Sequence, residues 1–448
     1  MAEAGRSRKH STGDFHAAAH RSPQLLAAAS QREQPQIKLP LDRVTGWSWQ
    51  GQDAFSPLGD RRDAPPLPLP QLDSAKRVVL VRHGQSTWNA RNRIQGSSDF
   101  AVLTDQGLKQ AAAAGRLLQG LQFEVLFQSP LVRAVETADA VWRGRDGPRV
   151  VVPQLREVDL YSFQGLEKVE AKFQRSDEYR RWQNDPENFE LDGHAPIREL
   201  WYRASLAWQA VLRSEHLGRQ GLVVGHNAVN QALICTALGL SPAHFRRFTQ
   251  TNAGFTVLDF QPGQQGSPPR VTVERLNQLS EIPLLPEKSG RPAINRLILV
   301  CRPSGGRRVR AALDLLAEYG VRAAPLMAIG SPEASSVVCT HGTQAQALDI
   351  KTALEASLGT PGRVRAVVAV ADAAAIQVVL QMCLVGSQPG AMPAGSTEQQ
   401  QQSQGGSMGS RFQIDEGSVT ILNFAAEGAT ALSQGVLLCS NFAATVQE

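Results

Sequence analysis

The sequence predicts an α/β fold built twice in tandem, a mostly parallel sheet flanked by helices in each copy. Three observations predict it. From residue 76 to about 280, apolar runs of strand length alternate with stretches of helical periodicity. Three of those strands end abruptly on a polar or basic residue and pass straight into a helical or irregular segment. Pieces of this region also recur further along in the same order: VVGHNAVNQALICTAL (223–238) aligns without gaps on AVADAAAIQVVLQMCL (369–384), VVLVRHGQS on LILVCRPSG (297–305), and GFTVLDF (254–260) resembles GSVTILNF (417–424).

The elements follow in chain order. Residues 1–75 show no sustained periodicity. The first thirty are rich in Ala, Ser, Arg and His, and DAPPLPLPQLD is rich in proline. This stretch is expected to be a disordered extension carrying an organelle-targeting peptide and a linker. VVLV (78–81) reads as a buried strand, yet it ends on Arg82 and His83. FEVLFQ (123–128) reads as the next strand; Ser129 is expected to cap the following helix, with Pro130 first in it and Arg133 in its first turn. PQLREVDLYSFQGLE (153–167) runs from a short apolar stretch into an irregular one. An insertion over about 160–219, holding His194 and Arg198, is expected to form a lid. GLVVG (221–225) is the third strand and ends on His226, before helical NAVNQALICTALGL. The first domain is expected over 76–290 and the second over 291–448. In the latter, AVVAVADAAAIQVVLQMCLVG (366–386) is long enough for a membrane span, but Asp372, Gln377 and Gln381 favour a strand followed by a helix. Low-complexity residues 386–411 are expected to be a disordered loop.

Composition narrows the function. The chain has 448 residues and a formal net charge of +5, with basic residues scattered rather than clustered among aromatics. That argues against a nucleic-acid partner and suits an anionic small molecule. The cysteines, at 235, 301, 339, 383 and 439, are odd in number and never in C-x-x-C spacing. A disulfide framework or zinc site is therefore not expected, and a reducing compartment is. No membrane partner, metal or other cofactor is expected.

In open α/β sheets ligands bind beyond the carboxyl ends of the strands, and helix N-termini there favour anions. Three strand ends would thus gather Arg82, His83, Arg133 and His226. Arginine forks suit phosphoryl oxygens. A histidine kept neutral by neighbouring guanidiniums can attack phosphorus. The leaving alkoxide needs a proton, for which Glu157 is the first candidate, before Asp159 and Glu167.

LVRHGQSTWN, SPLVRAVET, LREVDLYSFQGLE and VVGHN, in that order, resemble the histidine phosphatase superfamily in its phosphoglycerate-mutase-like branch. The resemblance implies a sheet of that type, a phosphorylated nucleophile at His83, a phosphoryl group held by Arg82, Arg133 and His226, and a proton donor at Glu157. It also implies that Asn89 shapes the pocket and that Gln95 and Gly96, in RIQGSSDF, line it. LYSFQGLE, DPENFELDGHAPIRELWYRA and VVGHNAVNQALICTALGL further resemble plant and algal 2-carboxy-D-arabinitol 1-phosphate phosphatases. That likeness implies a chloroplast transit peptide, a location in the stroma, a second degenerate copy of the domain, and a sugar-acid phosphate substrate that links the protein to Rubisco as an inhibitor of that enzyme. The carboxylate of such a substrate needs another cation, for which Arg198 is the candidate.

In the second copy Cys301 stands for Arg82, Arg302 for His83, Asp372 for His226 and, more loosely, Gln344 for Arg133. With the nucleophile gone and a carboxylate facing where phosphate would bind, this copy is expected to be non-catalytic. Two alternatives stay open at this point: a phosphomutase that returns the phosphoryl group to substrate, and a non-catalytic protein that binds a phospho-ligand or Rubisco.

Overall fold

The computed structural model describes residues 63–264, 266–280, 294–301, 336–338, 366–385, 408–415, 418–425 and 436–442. The expectations for residues 1–62 and 386–407, and for Arg302, Cys339 and Gln344, lie outside the described residues.

The first half begins with β1 (Lys76–Arg82), followed by the short helix α1 (Thr87–Ala90), α2 (Asp105–Leu117), β2 (Val125–Gln128), α3 (Val132–Trp142) and β3 (Arg149–Val151). Next come α4 (Lys168–Gln174), α5 (Ser176–Asn184), α6 (Pro196–Leu212), β4 (Gln220–Gly225), α7 (Asn227–Leu238), β5 (Phe255–Gln261) and β6 (Arg270–Gln278). The second half contributes β7 (Ile294–Cys301), β8 (Ser336–Val338), β9 (Ala366–Ala371), α8 (Ala373–Val385), β10 (Val419–Ala425) and β11 (Val436–Phe442). All strands join one sheet in the order β3-β2-β4-β1-β5-β6-β11-β10-β7-β9-β8.

The unbroken apolar run of β1 is explained by its place. It pairs with β4 in parallel and with β5 antiparallel. Successive side chains of a strand point to opposite faces, so Val78 and Leu80 enter one core and Val79 and Val81 the other. All four are fully buried, as expected of a strand covered on both faces.

The α/β class holds: three of the five pairings within the first half are parallel and two of the four within the second, and the pairing that joins the halves is antiparallel. Parallel pairing is confined to β3-β2-β4-β1 and β7-β9-β8. The β5–β6 and β10–β11 hairpins need only short connections and supply the antiparallel middle. Both β3 and β6 escaped the sequence reading.

Read from either end, the sheet has the same grammar. A central strand (β1 or β7) has a parallel neighbour (β4 or β9) and an antiparallel one (β5 or β10). Arg82 faces Gly225 and Cys301 faces Ala371, so the gapless alignment and the register agree. The halves meet where Leu276 of β6 faces Ser440 of β11. Contacts here come in exchanged pairs. Asn277 donates to the Leu438 carbonyl (2.8 Å) and Asn441 to that of Glu274 (2.9 Å). Phe248 bridges Leu437 while Phe412 bridges Val273, and the two Phe rings stack at 6.3 Å. Exchanged contacts of this kind are what a local two-fold axis produces.

Three expectations need correction. Residues 63–75 are not a disordered linker. They strap along α6: the Leu67 N–H donates to Ser205 Oγ (2.9 Å), Gln209 donates to the Pro68 carbonyl (2.7 Å), and Leu69 and Leu72 pack on the core. Proline suits such an extended strap because its missing N–H needs no partner. Residues 409–411, expected to be disordered, form a 3₁₀ turn with Arg411 buried. Within the insertion, α6 is a core helix rather than a lid; Trp201 and Trp208 are buried and their indole N–H groups donate to the Leu240 and Leu233 carbonyls. Residues 366–385 are the strand and helix read from sequence, and no helix among the described residues is long and apolar enough to cross a membrane.

Candidate active site

Beyond the carboxyl ends of β1, β2 and β4 lies a cavity of about 170 Å³. Arg82, His83, Arg133 and Glu157 line it, together with Asn89, Gln95 and Gly96. His226 packs beside His83, ring centroids 5.1 Å apart. Four separated stretches of sequence thus converge as the strand-end argument requires.

His83 is 2% exposed. Its main-chain N–H donates to the Gly225 carbonyl (3.0 Å), which locks the strand end to β4. Its Nδ1 lies 2.7 Å from the Gly84 carbonyl. A carbonyl can only accept, so Nδ1 carries the proton and Nε2 keeps its lone pair. Burial, then the charges of Arg133 and Arg82, hold the imidazole pKa well below its ordinary value. Gly84 is required for packing: a Cβ there would lie 2.3 Å from the Gly107 carbonyl oxygen, where the loop crosses the start of α2.

The two arginines are tied down through part of each fork. Arg82 donates to the Gln250 carbonyl (2.6 Å), and Arg133 to the carbonyls of Ser98 (2.7 Å) and Gly96 (2.9 Å). Burial pushes both pKa values down to about 10, opposed by the charge of Glu157. Arg82 Nε and Arg133 Nε are buried without a partner among the described residues. Such donors cost roughly 1–3 kcal/mol each when unsatisfied, and a multi-oxygen anion satisfies several at once. His226 adds a third. Its Nε2 sits 2.7 Å from Ser129 Oγ, which also accepts the Leu131 N–H. Its Nδ1 is likewise buried without a partner among the described residues.

Ser129 therefore serves His226 rather than capping a helix. The helix α3 starts at Val132 with Leu131 as N-cap, two residues later than the sequence suggested, and Arg133 remains in its first turn. Glu157 sits at the N-terminus of α7. Its Oε1 accepts N–H groups from Val158 (2.9 Å), Ala228 (3.1 Å) and Val229 (3.1 Å), whereas Oε2 accepts, among the described residues, only from Ala228 (3.0 Å). Asn89 Oδ1 accepts from Ser86 N and Asn252 Nδ2, and Gln95 accepts from the Ser86 hydroxyl.

Arg198 is not brought to the cavity. Its guanidinium pairs with Asp63 on the strap (2.8 Å) and Glu190 (3.6 Å), so the carboxylate-binding role expected of it is not supported. His194 is structural too: it stacks on Tyr161 at 4.0 Å and bonds Glu199. Cations the sequence reading missed line the cavity instead: Arg93, Lys168 and Arg246. Of the insertion, Lys168 and Trp182 reach it, so the helix α5 is more than a solvated surface helix. Arg246 follows an apolar turn in AHFRRF, a sequence with no periodic signal that could have placed it.

Residues 78–267 match the family model of the histidine phosphatase superfamily (branch 1). The chain is also 36% identical over 175 residues to the 2,3-bisphosphoglycerate-dependent phosphoglycerate mutase of Azorhizobium caulinodans, covering 37% of this chain and 82% of that one. With the motif set and cavity above, the chain belongs to the histidine phosphatase superfamily. It is 45% identical over 308 residues to the 2-carboxy-D-arabinitol-1-phosphatase of Triticum aestivum, covering 66% of this chain and 60% of that one. It is 43% identical over 295 residues to a probable 2-carboxy-D-arabinitol-1-phosphatase of Arabidopsis thaliana, covering 66% and 61%. The chain thus spans about 60% of the length of these plant relatives.

Proposed function

We propose that the chain is a phosphomonoesterase working through a phosphohistidine at His83. The observation that carries this reading is the fixed tautomer of His83: a neutral, buried imidazole with Nε2 unprotonated at a cavity that Arg82 and Arg133 also line. Nε2 attacks phosphorus in line; the N–P bond forms as the ester P–O bond breaks. Arg82, Arg133 and His226 stabilise the charge on the phosphoryl oxygens. The leaving oxygen takes a proton from Glu157, whose Oε2 has fewer bonds to backbone than Oε1 and is the oxygen available to hold it. Water then attacks the phosphohistidine, gives a proton to Glu157 and releases phosphate.

The substrate assigned is 2-carboxy-D-arabinitol 1-phosphate. Support comes from the activity named for the wheat and Arabidopsis relatives and from the cations in excess of those a phosphoryl group needs. This substrate makes the protein a partner of Rubisco metabolism through its inhibitor, and the chloroplast stroma its place of work.

The test is phosphate release from 2-carboxy-D-arabinitol 1-phosphate beside 3-phosphoglycerate, with and without a bisphosphorylated primer, and with His83→Ala in parallel. Primer-independent release that prefers the first substrate and is lost in the variant is expected, a loss on the order of 10³-fold or more. Turnover that requires the primer would make the chain a mutase, as the Azorhizobium relative is named. Release surviving in His83→Ala would overturn the mechanism.

A further inference from the structure

We propose that Arg246 is the specificity-determining cation of the cavity and takes the carboxylate of the substrate; this rests on the reading of the chain as a sugar-acid phosphatase. Charge pairing singles it out among the cavity's arginines. Arg93 faces Glu167 at 3.7 Å, and Arg82 and Arg133 share the field of Glu157. Arg246 has no carboxylate partner among the described residues. Its Nη1 donates to the Trp182 and Gln183 carbonyls, and its guanidinium lies over the rings of Trp182 and Phe245, 5.1 Å from each centroid. Burial pushes its pKa down to about 10. A largely buried guanidinium without an anion is costly, and here it borders the cavity that His83 also lines. Held over both rings and tied through Nη1 to two carbonyls, its orientation is set, which suits bidentate recognition of a planar carboxylate.

The backbone beneath it is built to hold that pose. Arg246 has φ 72°, a left-handed conformation that a non-glycine residue adopts at a cost of about 1–2 kcal/mol. Such strain persists only where the surroundings over-determine it. Here they do. The Arg246 N–H donates to Gln231 of α7 (2.8 Å). On one side, His244 Nε2 bonds the Leu384 carbonyl of α8 (3.1 Å). On the other, the Leu437 N–H of β11 donates to the Arg247 carbonyl (2.8 Å), and the Thr249 N–H donates to that of Leu437 (2.9 Å). The second half of the chain thus mounts a residue of the first half's cavity.

Full-length Arg246→Met, which keeps the aliphatic packing, and Arg246→Lys, which keeps the charge without the fork, test this. The readout is the ratio of kcat/KM for 2-carboxy-D-arabinitol 1-phosphate to that for arabinitol 1-phosphate, which lacks the carboxylate. Arg246→Met is expected to lower the ratio at least about 10-fold, mostly through KM, the scale of one charged hydrogen bond; Arg246→Lys should fall between. An unchanged ratio in a folded Arg246→Met would overturn the proposal, as would a selective loss on a sugar bisphosphate instead. If His83→Ala still releases phosphate, the phosphatase reading fails on its own, independently of this ratio.

Discussion

The two halves of this sheet share a strand order and differ at their strand ends. Where β1 and β4 end in Arg82, Gly225 and His226, β7 and β9 end in Cys301, Ala371 and Asp372. Even a backbone detail repeats: the Asn230 N–H donates to the His226 carbonyl at 3.0 Å and the Ile376 N–H to that of Asp372 at 3.1 Å. The apolar interior of a strand is dictated by burial on both faces, so both halves keep it. The residues just past the carboxyl end contribute little to the sheet. They are free to differ, as they do between the two halves. Fold and site are separable layers of the same sequence.

Removing a cation from the first half's strand ends is the strongest way to sharpen the contrast. Arg133→Met should lower kcat on the preferred phosphomonoester about 10²–10³-fold, the scale of losing one preorganised donor to developing charge. It also frees the Gly96 and Ser98 carbonyls. Single-turnover phosphorylation of His83 should slow in parallel; a change in KM alone would show that Arg133 only binds.

Acid stability comes next. His83 and His226 are buried with pKa values held well below 6.5, by burial first and then by the arginines. Below pH 6.5 the unfolded chain binds protons that the folded chain refuses. Stability is therefore full above that pH and falls as pH drops through it, by up to about 1.4 kcal/mol per pH unit for each imidazole. Denaturant unfolding between pH 7 and 5 measures the slope, and His226→Gln should remove about half of this pair's share. A slope that does not change would mean that His226 takes up a proton while folded.

Much of the fold and most of the site were legible. Strand-end motifs placed Arg82, His83 and Arg133 at one cavity, because a strand's end and the following helix's start fix position within a residue or two, and Glu157, in the irregular stretch after Leu155, joins them there. The misses share a cause: their placement depends on long-range contacts. Arg246 is mounted by Leu384 and Leu437, more than a hundred residues away, and has no local pattern. Arg198 looked available, but Asp63, on a strap taken for a linker, binds it. Ser129 had the composition of a cap, and the hydrogen bond to His226 claimed its hydroxyl instead.

The joint between the halves offers a smaller effect that tests the two-fold itself. Asn277 and Asn441 have φ 51° and 52°, and each donates across the joint to a carbonyl of the other half. Each also accepts a backbone N–H within its own half, from Thr251 and Asp415 respectively, both at 2.7 Å. Alanine at either position should cost about 1–3 kcal/mol, from buried groups left unpaired and from the left-handed backbone. Near-equal losses in thermal unfolding are expected; a loss confined to one site would break the equivalence of the halves.

The smallest effect belongs to the altered strand end. Asp372 immediately precedes α8, where an acidic side chain is favourable by about 0.3–1 kcal/mol. Asp372→His restores the residue type of the first half at this position. It should leave phosphate release as it was. Restoring one imidazole does not restore a site whose other strand end carries Cys301, a thiol buried at 1% exposure in place of a guanidinium. The variant therefore separates two accounts of the second half. If a second phosphohistidine were detected by mass spectrometry, the altered strand ends would be one substitution from catalysis. If only His83 is phosphorylated, the second half's strand ends differ from those of a phosphate site at several positions together, while its strands have a structural task.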